Sequence, residues 1–82
     1  MALSKKAANR IAALINSIQV AEAMAAEARE SANLKARYMW SIHSMKAAIA
    51  LFDEFGIEVV NYQQYVEMLP RYVAEYARMS EE

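Results

Sequence analysis

Ala7, Ile11, Leu14, Ile18, Ala21, Ala25, Ala28 and Ala32 follow one another at alternating spacings of four and three. That is a heptad stripe, and it forces the first third of the chain to be a helix lying lengthwise against another helix. Bulky residues fill the first half of the stripe and alanines the second. Small side chains let backbones approach closely, so the alanine half is expected against an element with large side chains. Ser4 is the natural N-cap, but Ala7 stands where a capping box would place an acid. With one glycine and one proline in 82 residues, the chain has almost nothing from which to build the tight turns of a sheet. The fold class read from the sequence is all-α.

The stripe loses phase around Ser31, Ala32 and Asn33. A second apolar series, Tyr38, Ile42, Met45, Ile49 and Phe52, begins six residues after Ala32, where a continuing seam needs seven. Either the chain turns at 31–33 or one long helix carries a stammer there. An unbroken helix from Ser4 to Phe55 would be about 78 Å long and could not bury its own faces in a compact monomer. The turn is the favoured reading.

Gly56 marks the next boundary. It follows Leu51-Phe52-Asp53-Glu54-Phe55 and fits a left-handed C-terminal cap, with Ile57 beyond it. Asn61 and Gln64 then stand at N-cap and N3 spacing, with Val60 and Tyr65 placed for a hydrophobic staple. Pro70 falls inside the last apolar stretch and is expected to kink it. The chain thus reads as one helical domain over 1–82. It is a hairpin or small bundle with helices at about 4–30 and 33–55 and a kinked element at about 62–79.

The second helix has two apolar faces. Ile42, Met45, Ile49 and Phe52 lie within about 40° of Tyr38, whereas Ala36, Trp40, Ala47 and Leu51 lie almost opposite. A helix apolar on both sides must be covered on both sides. In a chain this short, a second molecule or the C-terminal helix can supply the second cover. Trp40 and Leu51 are therefore partner-binding candidates, Trp40 foremost because tryptophan is enriched at interface hot spots. The C-terminal segment adds Tyr62, Tyr65, Leu69, Tyr72, Tyr76 and Met79 at three-four spacing. Each phenol needs a polar partner or water, which suits a groove or subunit interface as well as a half-buried surface helix. Tyr62, Tyr65, Tyr72 and Tyr76 join the candidates on that ground.

Catalytic signals are weak. His43 is the single histidine and lies in no recognisable catalytic motif. Asp53 and Glu54 are neighbours in sequence and point about 100° apart. No Glu-x-x-His pair, phosphate-binding glycine loop or cysteine is present. The expectation is a non-enzyme with no metal and no cofactor.

Hydrophobic residues make up 57% of the chain and charged ones 23%, too apolar for disorder. No apolar run reaches the roughly 18 residues needed to cross a bilayer. With no cysteine and no compact apolar segment after Lys5 and Lys6, the expected location is the cytoplasm. The net charge of -1 is unevenly distributed. Residues 1–21 hold Lys5, Lys6 and Arg10 and no acid, whereas residues 53–82 hold seven acids against Arg71 and Arg78. Solvated faces that attract one another account for that pattern.

The function these observations favour is a non-catalytic module that binds a larger protein as an inhibitor or adaptor. Phage-encoded inhibitors of host machinery are a class of short chains with this profile. A homo-oligomer is expected too, because a chain near 80 residues without disulfides or metals has little core to spare. Two alternatives remain open. A nucleic-acid or nucleotide binder would use Lys35, Arg37 and Lys46 beside Tyr38 and Trp40, although those two rings point about 160° apart on one helix. A structural oligomer or assembly chaperone would use the same apolar stripes for assembly alone.

Overall fold

A computed structural model describes residues 3–81. Three helices make up the described chain, with no strand among them: α1 (Lys5–Glu30), α2 (Leu34–Phe55) and α3 (Tyr62–Glu81). The protein is all-α, a small helical bundle.

The chain turns within three residues between α1 and α2. Ala32 adopts left-handed backbone (φ 58°). Its N–H bonds the Arg29 carbonyl at 3.2 Å, and the Asn33 N–H bonds the Ala28 carbonyl at 2.8 Å. This is a Schellman ending with alanine where glycine is usual. Asn33 then starts α2, its Oδ1 accepting from the Ala36 N–H at 3.1 Å. Ser4 caps α1 in the same manner, with Oγ accepting from the Ala7 N–H at 3.0 Å.

Gly56 ends α2 in the left-handed region (φ 69°), and the Gly56 and Ile57 N–H groups close on the Phe52 and Leu51 carbonyls. The start of α3 differs from the capping pattern in the sequence. Asn61 is itself left-handed (φ 71°), its carbonyl accepts from the Tyr65 N–H, and Val60 is 84% exposed. A valine so exposed staples nothing. From there α3 runs through Pro70, where proline removes the N–H that the Val66 carbonyl would have accepted.

α2 is the central element, with α1 and α3 each antiparallel to it. Leu14, Ala47 and Leu51 form the buried centre of the α1–α2 seam, packed by Ile11, Ile18, Ala50, Phe55 and Val59. Ala21, Ala25 and Ala28 are buried farther along α1. They do not meet a run of large side chains. Ala25 borders Ser41 and Ser44 as well as Met45, so small residues face small residues over part of the seam. The second apolar face of α2 is thus covered from within the chain, by α1.

The other face receives α3. Tyr38 packs on Tyr72 with ring centroids 4.7 Å apart, and Phe52 on Tyr62 at 4.5 Å. No residue of α3 is fully buried. The backbones of α1 and α3 stay apart, and a long hydrogen bond from the Tyr65 hydroxyl to Glu22 Oε1 (3.5 Å) spans the gap. The outline is correspondingly drawn out, 49 × 23 × 21 Å. Its radius of gyration is 14.0 Å, where a compact chain of this length would have about 12 Å.

Candidate partner-binding surface

The tyrosine stripe of α3 is mostly occupied within the chain. Tyr72 and Tyr62 stack on α2, Tyr65 reaches Glu22, and Tyr76 lies beneath the Lys35 ammonium, 5.9 Å from its ring centroid. All four are half-buried, with one flank in the α2–α3 seam. Burial pushes the Tyr65 phenol above its ordinary pKa, and the neighbouring Glu22 carboxylate adds to that rise.

Leu51 is the largest fully buried side chain (1% exposed) and belongs to the α1–α2 core. It has no surface to offer a partner while the hairpin is closed. Trp40 is half-buried and tilted against the exposed His43 ring, with centroids 5.7 Å apart. The ring contact of Trp40 is with a residue of its own helix, whereas Tyr62 and Tyr72 stack across to α2.

The basic candidates do not converge. Arg37 is half-buried and borders the hairpin turn with Ala28, Arg29 and Asn33. Lys46 lies beside Met39, Ile42, His43, Val73 and Tyr76. Lys35 shares that side through Tyr76. On a helical projection Arg37 stands roughly 160–180° from the two lysines, so one strand of nucleic acid cannot lie across all three on α2. Tyr38, spent on Tyr72, offers no free stacking platform.

The acidic residues of the C-terminal part are also accounted for in part. Arg10 of α1 grips Glu54 of α2 with two bonds, Nε to Oε1 at 3.1 Å and Nη2 to Oε2 at 2.9 Å. The hydrogen bond to Arg10 holds the Glu54 carboxyl below its ordinary range, and Arg10 is raised in turn. Glu54 therefore faces Arg10 instead of pairing with Asp53. Among the described residues, no group of three side chains is placed to hold a metal ion, and no helix is long and apolar enough to cross a membrane.

Open hollows flank α3, among them one of about 460 Å³ around Tyr38, Met68, Arg71 and Tyr72 and a smaller pair. One, about 320 Å³, lies between α1 and α3 and is lined by Glu22, Ala25, Arg29, Ser41, Ser44 and Tyr65, with Met45 at its base. The other, also about 320 Å³, lies on the far side of the α2–α3 seam around Met39, Ile42, Val73 and Tyr76. Beside it, Val66, Pro70, Val73 and Ala77 are all exposed and recur at four-three-four spacing. That strip of α3 has no charge over about three turns. Reading the tyrosines as the binding stripe passes over these residues, although their own spacing marks them out. No known protein-family model matches the chain, and no characterised protein or solved structure shows significant similarity to it.

Proposed function

We propose that this chain is a non-catalytic protein-binding module, an inhibitor or adaptor that lays helical surface against a larger partner. The observation that carries the reading is the placement of α3. It packs on one helix only, buries no residue completely, and leaves an uncharged strip on its outer side. An isolated surface helix is normally charged there, and an apolar strip of this kind suits protein contact. The side chains that could act as acids or bases are scattered. His43 lies against Trp40, and Glu54 is bonded to Arg10.

Capture from a lysate of the source cell, followed by identification of what co-elutes, tests the reading. Wild-type chain is expected to retain a defined protein, and Val73→Asp or Trp40→Ala to lose it while helical circular dichroism persists. Retention of nucleic acid alone, with release by modest salt, would replace this reading with the nucleic-acid one. Equal capture by wild type and both variants would remove the α2–α3 surface from the function.

A further inference from the structure

Resting on the protein-binding reading, we infer that the face formed by the outer sides of α2 and α3 accepts an acidic amphipathic helix of the partner. Two strips make this face. Val66, Pro70, Val73 and Ala77 line the α3 side without a charge. Lys35, Met39, His43 and Lys46 line the α2 side, recurring at four-four-three spacing, and its two formally charged members, Lys35 and Lys46, are both positive. The strips meet at the hollow of about 320 Å³, floored by Ile42 and walled by Met39, Val73 and Tyr76. Lys46 stands on its rim, and the contact with the Tyr76 ring places Lys35 there too. The first acid along the α2 strip is Asp53, about 10 Å beyond Lys46 at 1.5 Å per residue.

The groove between two antiparallel helices receives a third helix through apolar anchors at i, i+3 or i+4, and i+7. α1 occupies one side of α2 and α3 another, and the arc carrying Met39, His43 and Lys46 is the wider one left uncovered. An occupant with apolar anchors would fill the hollow, and carboxylates beside those anchors would meet Lys35 and Lys46. Opposite charge across the rim sets orientation and rejects basic helices. A second copy of this chain is a poor occupant. The outer charges of α3 alternate, Glu67, Arg71, Glu75 and Arg78, with Arg78 already bonded to Glu75.

The test uses the full chain and two synthetic helical peptides. Both have leucines at i, i+4 and i+7, one with glutamates on the flanks and the other with lysines. Fluorescence anisotropy is expected to show the glutamate peptide binding at least about ten-fold more tightly, with affinity falling as salt is added. The double variant Lys35→Glu/Lys46→Glu should reverse the preference, and Val73→Asp should abolish binding of both. NMR shift mapping should place the peptide at Met39, Ile42, His43, Val73 and Tyr76. Equal affinity for the two peptides, or shifts centred on Glu22, Arg29 and Ser44, would overturn the assignment. So would concentration-dependent dimerisation lost in Val73→Asp, which would make a second copy the occupant. If the lysate partner is still captured by the Lys35→Glu/Lys46→Glu chain, this face is refuted while the protein-binding reading stands.

Discussion

Ala32, Gly56 and Asn61 hold left-handed backbone, and each sits at a junction between helices. The sequence advertises them unequally. Gly56 is the single glycine, and a Cβ placed there would meet nothing within 4 Å. Gly56→Ala is therefore expected to cost about 1 kcal/mol from backbone strain alone, with Gly56→Asn costing less. Ala32 is the converse. It already bears the strain that glycine avoids, so Ala32→Gly should stabilise the fold by roughly 0.5–1 kcal/mol, net of glycine's extra chain entropy. Chemical denaturation of the three variants measures both effects, and a loss of stability in Ala32→Gly would contradict the left-handed assignment. This asymmetry also explains why the turn at 31–33 was harder to read than the end of α2. An alanine at a Schellman position leaves no compositional mark, whereas the phase slip in the heptad does.

Between elements, the two apolar faces of α2 were legible from spacing, but their covers were not. Trp40 and Leu51 lie on one stripe in projection, yet α1 buries Leu51 completely and leaves Trp40 half-exposed. Periodicity gives the direction of a side chain and says nothing of how far along the helix a neighbour packs. Leu51→Ala is expected to cost about 2–5 kcal/mol, as deletions in a tight seam do, and Trp40→Ala to cost less; thermal melts would rank them. The tyrosines were legible as an amphipathic stripe but not as the seam itself, because a phenol suits either place. The Arg10–Glu54 bridge adds a pH dependence to the α1–α2 seam. The folded Glu54 carboxyl titrates below its unfolded counterpart because Arg10 hydrogen-bonds it. Its contribution is thus complete above the ordinary carboxylate range and is lost as pH falls through the folded value. Melting followed from neutral to acid pH should show a shallower decline in Glu54→Gln than in wild type. Identical profiles would mean that the pair does not persist in solution.

Across the whole molecule, packing falls off from α1–α2 to α3. Among the described residues, the hairpin holds every fully buried one, and α3 holds none. Hydrogen exchange should therefore be fastest in α3, with Tyr62 to Glu81 opening below the global unfolding free energy and α2 retaining the strongest protection. Uniform protection across the three helices would mean that α3 is bound more firmly than its burial implies. The outer strip of the proposed binding face was present in the sequence as a four-three-four run. What spacing alone could not supply was the side of α3 left open, which depends on where α1 sits around α2. A further consequence follows from the missing α1–α3 seam. Every packed interface joins helices adjacent in sequence, across connections of three and six residues. Apart from the long Tyr65–Glu22 bond, the contacts between helices need only a short connection to close, so the entropic search before the first productive encounter is short. Chains dominated by such local contacts fold in microseconds to milliseconds.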